Sequence, residues 1–291
     1  MMLNEQQTND SVKGANKLQI FILSCIRQPL ISASVIVFTA VVVISIAAPW
    51  IAPYDPDQQI LIDRLQLPSS EYLLGTDHLG RDVLSRLMYA GRFSLTVTVV
   101  AVIVSAVRGT VLGANSGRVG GLTDEIIMRT VDLMLAFPSE ILALLIASLI
   151  NPGATTIILS VLLTGWTTFA RLARATALDV SGKEFVLAAT SIGTRESLIV
   201  FRHILPNILP SIMALLFVRF GHLMLGIAGL SYLGLGAQPP TADWGLMLAD
   251  AQPYMQRVPS LVLAPSLVIF VTALSVTIVG QAISSWLDPK L

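Results

Sequence analysis

The chain has 291 residues, of which 54% are hydrophobic and 12% are charged, and its acidic and basic side chains balance to a formal net charge of zero. Ordinary soluble domains carry about 25% charged residues. This chain therefore has too few charges to cover a water-facing surface. The zero net charge gives no indication of a nucleic-acid partner, and a single cysteine excludes a disulfide within the chain. The composition predicts an integral membrane protein.

Six apolar segments are candidates for membrane-spanning helices, each of which needs about 20 residues. In chain order they cover residues 30–50, 93–114, 133–150, 154–170, 206–230 and 261–286. The third and fourth segments are separated only by Asn151-Pro152-Gly153. Because this is a turn sequence, we expect these two helices to form a tight hairpin. The predicted fold class is all-α, with six transmembrane helices.

The distribution of lysine and arginine predicts the orientation in the membrane, since these residues favour cytoplasmic loops. With the N-terminus inside, the inner segments hold eleven of them and the outer segments five. We therefore expect both termini to be cytoplasmic. The predicted segments are a cytoplasmic N-terminal stretch at 1–29, a first helix at 30–50, an extracytoplasmic loop at 51–92, a five-helix core at 93–286 with a cytoplasmic loop at 171–205, and a cytoplasmic tail at 287–291.

A charged, amphipathic stretch lies in the cytoplasmic loop, between the fourth and fifth predicted spans. Its first part has an apolar stripe at helical spacing, formed by Phe185, Ala188, Ala189 and Ile192. Gly193 then suits a left-handed helix C-cap. A second helical stretch at 196–203 leads to a proline at position 206, which suits the first turn of a helix. Periodicity alone leaves two readings open: a helix lying on the inner membrane surface, or a helix that docks on a cytoplasmic partner.

This stretch resembles the coupling loop of permeases of ATP-binding-cassette (ABC) importers, whose pattern is roughly E-A-A-x3-G-x9-I-x-L-P. The matching residues are Ala188, Ala189, Gly193, Leu205 and Pro206. Two positions depart from the pattern, because its glutamate falls on Leu187 and its isoleucine falls on His203. Glu184, one helical turn before Leu187, is a candidate to take over part of the charged role.

Three further motifs, in the same order as in the family, resemble the permeases for dipeptides, oligopeptides and nickel. The first runs from Leu74 to Arg86 and contains a G-T-D-x-x-G-R-D signature: Gly75, Thr76, Asp77, Gly80, Arg81 and Asp82. The second is Gly120-Gly-Leu-Thr-Asp, followed by Ala136-Phe-Pro, and the third is Leu230-Ser-Tyr-Leu-Gly-Leu-Gly. A long outer loop after the first span is similar to that of the second of the two permease subunits in such importers.

The resemblance implies a type I ABC-importer permease fold in the bacterial inner membrane. It also implies a heterodimer with a homologous permease, two cytoplasmic ATPase subunits that dock on the coupling loops, and an extracytoplasmic substrate-binding protein. The chain has no G-x-x-x-x-G-K-[ST] loop to hold phosphates. We therefore expect ATP hydrolysis in the partner subunits, no enzyme activity in this chain, and no cofactor.

The acidic and basic residues of the outer motif can be interpreted in two ways. Asp77, Arg81, Asp82 and Arg86 lie at spacings of four and five, which predicts local ion pairs that fold the outer segment over the mouth of the path. Contact with the binding protein is the alternative. We favour the structural role.

A few polar residues fall inside the apolar segments, where charge is expensive and often functional. Arg108 and Arg219 are equally compatible with lining the translocation path and with structural pairing. His222 is a third candidate for the path, although a helix–helix hydrogen bond is the more common role. We expect Glu140 near the inner end of its span, where its carboxylate forms an ion pair or reaches the membrane interface. The three histidines fall in different parts of the chain, so no metal site is expected.

The cargo is the least determined property. Gly221-His-Leu-Met resembles nickel-type permeases, which favours nickel or a metal–chelator complex slightly over di- or oligopeptides. A proton-coupled secondary transporter is a remote alternative, because we find no internal repeat of the kind such transporters show. An intramembrane hydrolase would need a nucleophile and a base on neighbouring helices, and no such arrangement is evident.

Overall fold

The computed structural model describes residues 28–287, with the side chains of 284–287 excluded. Residues 1–27 of the predicted N-terminal segment and 288–291 of the predicted C-terminal tail therefore lie outside the described residues. Within this range the structure is helical and contains no strand. Its α-helices are α1 (Pro29–Ile51), α2 (Val83–Val119), α3 (Gly121–Leu135), α4 (Ser139–Ser148), α5 (Ala154–Thr164), α6 (Trp166–Ser181), α7 (Glu184–Ser191), α8 (Glu196–Ile199), α9 (Leu205–Tyr232), α10 (Trp244–Ala251) and α11 (Ser260–Leu287). Short 3-10 turns at Leu61–Asp63 and Gln252–Tyr254 and a π-helical turn at Val200–Ile204 complete it.

Five helical stretches of the described residues are long and apolar enough to cross a membrane. They are Pro29–Ile51, Val83–Val119, Ala154–Ser181, Glu196–Tyr232 and Ser260–Ile283. A sixth candidate is the pair α3 and α4, which passes the same test together but is bent by 88°. When this pair is counted as one span, the total is six. The all-helical membrane architecture predicted from the sequence is confirmed.

The third predicted span, residues 133–150, is not a continuous helix. Helix α3 ends at Leu135 and α4 starts at Ser139, with Pro138 in an extended conformation between them. Proline lacks the N–H that continues a helix, and it disfavours helical geometry in the residue before it. The break therefore falls where the sequence places its proline. The predicted hairpin is present, since α4 and α5 pack together across the Asn151-Pro152-Gly153 turn.

Helix α6 continues for eleven residues beyond the predicted end of the fourth span, to Ser181. Its last three turns keep one buried apolar face, formed by Ala173, Ala177 and Val180, while charged side chains such as Arg171 and Asp179 lie on the exposed side. An amphipathic helix of this kind does not register as an apolar run. The loop predicted at 171–205 therefore begins, in the structure, only after residue 181.

Helices α2 and α6 form the most extensively packed helix pair of the described residues. Gly109, Gly113 and Gly117 recur every fourth residue on the face of α2 that meets α6. A Cβ atom on these glycines would lie 2.3, 2.2 and 2.6 Å from backbone oxygens of α6. Small residues at such positions let two helix backbones approach closely, which is how helices pack well in a membrane.

We predict that Gly113→Ala destabilises the protein, because the added methyl group would overlap the Ala170 carbonyl oxygen. Overpacking of this kind costs about 1–3 kcal/mol. Gly226→Ala in α9 is the matched control, since a Cβ there has no neighbour within 4 Å. In detergent, Gly113→Ala should lower the midpoint temperature of thermal unfolding, whereas Gly226→Ala should not. Equal midpoints for the two variants would contradict the packing described here.

Candidate functional site

The segment 184–204 forms two short helices separated by a glycine, as the sequence predicts. Helix α7 ends with Gly193 at φ +76°, in the left-handed region. The Gly193 N–H donates to the Thr190 carbonyl (3.0 Å), and the Thr194 N–H donates to the Ala189 carbonyl (3.1 Å). These two bonds define a Schellman cap, in which glycine avoids the strain a side chain would meet. Glycine at this position therefore allows the chain to turn from α7 towards α8.

The buried face of α7 differs from the predicted stripe. Val186 and Ala189 pack into the main apolar core, whereas the other members of the stripe are exposed. An eight-residue helix with apolar side chains on two sides offers two possible stripes, and the sequence does not choose between them. As a result, α7, α8 and the following turn expose a set of large apolar side chains, here called the apolar set: Phe185, Leu187, Ile192, Leu198 and Phe201.

The two positions that depart from the coupling pattern, Leu187 and His203, are at least partly exposed to the surface. Leu187 and Glu184 are both exposed and lie one helical turn apart. The ring of His203 lies 6.2 Å from that of Phe185, so the histidine is packed beside α7. Leu205 and Pro206 follow the π-helical turn without a break, since α8, this turn and α9 form one helical stretch, Glu196–Tyr232.

An arginine that the sequence analysis does not single out connects this segment to α2. Arg118, in the last turn of α2, donates through Nε to Glu196 (2.6 Å) and through one terminal nitrogen to Thr190 (2.8 Å) and Glu196 (3.0 Å). Nearby, Arg174 of α6 holds Asp124 of α3 with two bonds of 2.5 and 2.6 Å. Both pairs join residues 50 or more apart in the chain, so no local spacing predicts them.

The outer motif lies at the opposite end of α2 and folds tightly on itself. Asp77 accepts hydrogen bonds from the backbone N–H groups of Leu79 (2.8 Å) and Arg81 (3.0 Å) and from Arg81 Nε (2.6 Å). The Arg81 side chain also lies 3.6 Å from Asp250 of α10. The buried Thr76 accepts from the Gln66 N–H at 2.9 Å and donates to the Asp63 carbonyl. The predicted ion pair between Asp77 and Arg81 is present.

Asp82 and Arg86 do not pair with each other, although their spacing suggested it. The Asp82 carboxylate instead caps α2 by accepting from the Ser85 N–H at 2.8 Å. Such a cap satisfies one of the free donors at a helix start. Arg86 is only 2% exposed and reaches Asp57 at 3.3 Å and Asp77 at 3.8 Å. Capping and long-range pairing together fix the start of α2 in the folded segment.

Two glycines of the motif are required by geometry. Gly75 and Gly80 have φ values of +79° and +76°, and a Cβ atom there would lie 2.4 Å from the Gln66 oxygen and 1.9 Å from the Ile60 oxygen. Tyr72 is buried beside them. Its burial raises its pKa, and the Asp63 carboxylate, which the hydroxyl meets at 3.3 Å, raises it further.

The polar residues of the predicted spans form two groups. Arg108 donates to the Leu162 carbonyl (3.1 Å) and lies 5.0 Å above the centre of the Trp166 ring. On the other side of α6, Arg219 donates to Thr168. One turn from Arg219, His222 Nε2 lies 3.4 Å from Glu140 Oε1, with the two side chains 57% and 59% exposed. Glu140 thus joins the candidates for the path.

Within residues 28–287, no three His, Cys, Asp or Glu side chains come together as a metal site. His78 stacks on Tyr254 in the outer segment, with ring centres 5.7 Å apart, whereas His203 lies beside α7 and His222 beside α4. The expectation that the chain holds no resident metal stays a prediction.

Comparison with known proteins places the chain among transport proteins. The family described as the binding-protein-dependent transport system inner membrane component matches residues 109–291. The N-terminal transmembrane domain of oligopeptide transport permease C matches residues 18–68. The chain is 35% identical to the nickel transport system permease protein NikC of Escherichia coli strain K12, over 89% of this chain and 93% of NikC. It is 37% identical to the glutathione transport system permease protein GsiD of Pectobacterium atrosepticum, over 91% of this chain and 89% of GsiD.

We predict that Asp77→Asn destabilises the outer segment, because it leaves the buried Arg81 and Arg86 without a shared carboxylate. Breaking a buried ion pair in this way costs about 3 kcal/mol. The control is Asp55→Asn, an exposed position whose acceptor role towards the Asp57 N–H (2.8 Å) an amide can keep. Thermal unfolding and the rate of proteolysis in residues 52–82 should both distinguish the variants. Indistinguishable behaviour would show that Asp77 is not the centre of this fold.

Proposed function

The chain belongs to the family of binding-protein-dependent transport system inner membrane components, and from this premise we propose a specific role in nickel or metal-chelate import. It is a multi-pass protein of the inner membrane and an ABC-importer permease of the nickel/dipeptide family. This membership removes the proton-coupled alternative. In the proposed complex, a homologous permease forms the path together with this chain, and a binding protein delivers the cargo.

The α7–α8 end of the bundle faces the cytoplasm in this proposal, and the outer motif faces the other side. The excess of lysine and arginine in the segments at the α7–α8 end supports this orientation. The two ends of α2 lie at opposite ends of the bundle, one in the outer motif and one beside α7 and α8. The orientation therefore places the coupling segment where cytoplasmic ATPases can reach it.

The apolar set of α7 and α8 is the observation that carries the proposal. Ile192 is 82% exposed at the end of α7, and Leu187 and Phe201 are more than half exposed. Apolar side chains presented together on a water-facing surface mark a site of protein contact. We assign this surface to the ATPase subunits, with Glu184, Ala188, Ala189, Gly193, Leu205 and Pro206 shaping it. ATP hydrolysis then belongs to those subunits.

We predict that Ile192→Asp prevents the ATPase from co-purifying with the permease pair in mild detergent. A carboxylate in the centre of an apolar contact would have to lose its hydration without a partner. Ile62→Asp is the control, because Ile62 is 89% exposed but lies in the outer segment. Both variants should reach the membrane at wild-type levels. Retention of the ATPase by Ile192→Asp would contradict the assigned docking surface.

The translocation path in this proposal is lined by His222, Glu140 and Arg219. The exposure of the His222–Glu140 pair, on the surface of a single chain inside the apolar region, supports this assignment. Ionisable groups at such depth are usually found facing a path or a partner helix. For Arg108, the bond to the Leu162 carbonyl and the contact with Trp166 favour the structural role over the path.

The cargo we propose is nickel or a metal–chelator complex. The resemblance of the stretch around His222 to nickel-type permeases supports this choice, as does the 35% identity to a nickel transport permease. The 37% identity to a glutathione transport permease favours a peptide as the second candidate. Both candidates are consistent with a path that holds a carboxylate, an imidazole and a guanidinium.

We predict that deleting this chain from its native cells lowers the uptake of radioactive Ni²⁺ at nanomolar concentration, and that re-expression restores it. Excess unlabelled glutathione or dipeptide should leave this uptake unchanged, because neither would occupy the same importer. The control is a strain that carries Ile192→Asp, which should behave like the deletion. Loss of glutathione or dipeptide uptake, with Ni²⁺ uptake intact, would establish the peptide alternative instead.

A further inference from the structure

We propose that Arg118 is a positioning residue, which locks the segment α7–Gly193–α8 to the end of α2 and so links ATPase movement to the outer motif. The proposal rests on the function proposed above, because it assigns a task to the docking surface. It concerns transmission of the movement, and Arg118 itself need not touch an ATPase or the cargo.

The Arg118 side chain bridges both sides of the glycine. Its contact to Thr190 is on α7, before Gly193, and its contacts to Glu196 are on α8, after it. The side chain is 11% exposed, so it is held between the two helices and the end of α2. Helix α7 has eight residues and is too short to hold its orientation as an isolated helix, whereas α8 continues through the π-helical turn into α9. Arg118 therefore ties α7 to the start of that long helix and to the end of α2.

Apolar packing holds the segment to the bundle but does not fix the angle at the glycine. Val186 and Ala189 anchor α7, and Ile199 anchors α8. These contacts are non-directional, whereas an arginine fork imposes a geometry on its acceptors. Among the ion pairs of residues 28–287, the pair of Arg118 and Glu196 is the one that reaches α7 or α8. Besides the helical continuity of α8 with α9, the directional connection of α7 and α8 therefore runs through Arg118 to α2.

Helix α2 continues this connection to the other end of the bundle. It has 37 residues without a proline, which corresponds to a length of about 55 Å. Its first turn is fixed by the Asp82 cap and by Arg86, which joins it to Asp57 and Asp77 of the outer motif. One uninterrupted helix thus has an arginine anchor at each end. A displacement of the docking surface is passed along α2 to the outer segment.

The same connection must work in both directions. If the binding protein favours one arrangement of the outer segment, it also favours the matching arrangement of the docking surface, because coupling between two sites is reciprocal. Stimulation of ATP hydrolysis by the binding protein therefore measures the link. Basal ATP hydrolysis does not, since it requires only that the ATPases be assembled.

The test uses the complete importer in proteoliposomes, with its own binding protein and whichever of Ni²⁺ alone or glutathione stimulates the wild-type complex. We expect Arg118→Met to keep ATPase co-purification and basal hydrolysis. In this variant, the stimulation of ATP hydrolysis by the binding protein should fall at least fivefold. The amount of cargo transported per ATP hydrolysed should fall by at least the same factor. Arg171→Met is the matched control, because it removes an exposed ion pair to Asp132 (2.6 Å) that joins α6 to α3 and does not touch α7 or α8.

A charge exchange separates the proposed role from a general loss of structure. The Glu196→Arg variant alone should lose the stimulation of ATP hydrolysis by the binding protein. The double variant Arg118→Glu with Glu196→Arg should recover at least half of the wild-type stimulation. Arg118→Met with wild-type stimulation would overturn the proposal, and so would an exchanged pair that recovers nothing although it assembles. If the wild-type chain does not co-purify with an ATPase, the proposed function itself is wrong.

Discussion

The contact between α2 and α6 is the constraint on which the rest of the structure depends. Three glycines bring the α2 backbone against the carbonyl oxygens of α6, with no space for even a methyl group. In a bilayer, apolar side chains gain little by leaving the lipid for a neighbouring helix, so dense backbone packing has to supply the attraction. Because this contact covers the C-terminal half of α2, it fixes where both ends of that long helix lie.

The charged side chains then arrange the segments outside the bundle around those two ends. At the start of α2, Arg81 and Arg86 are almost fully buried. A buried guanidinium is tolerable only with hydrogen-bonded partners, so residues 52–82 must bring Asp57 and Asp77 to them. At the other end of α2, the guanidinium of Arg118 likewise needs the carboxylate of Glu196 as a hydrogen-bonded partner. Apolar packing thus builds the spans, and a few ion pairs position the segments assigned to protein contacts in the proposed complex.

The sequence predicts well those features that depend on neighbouring residues. The spans follow from apolar runs, the hairpin follows from Asn151-Pro152-Gly153, and the Gly193 cap follows from one glycine at the end of a stripe. Prediction from the sequence fails where two segments that are distant in the chain must meet. The pairing of Arg118 with Glu196 joins residues 78 apart, and Arg86 prefers the distant Asp57 to the nearby Asp82. The choice between the two apolar faces of α7 likewise depends on which face the core offers.

The bend between α3 and α4 changes what Glu140 can do. A straight third span would place this carboxylate near the membrane surface, where reaching the water is easy. The 88° turn at Pro138 instead makes Glu140 the second residue of α4 and brings it to His222, ten residues before α9 ends at Tyr232. Both side chains are more than half exposed on the surface of the single chain, beside apolar helices. Ionisable groups within apolar helices usually face a polar path or a polar partner, and the proposed second permease subunit would supply either one at this face of the bundle.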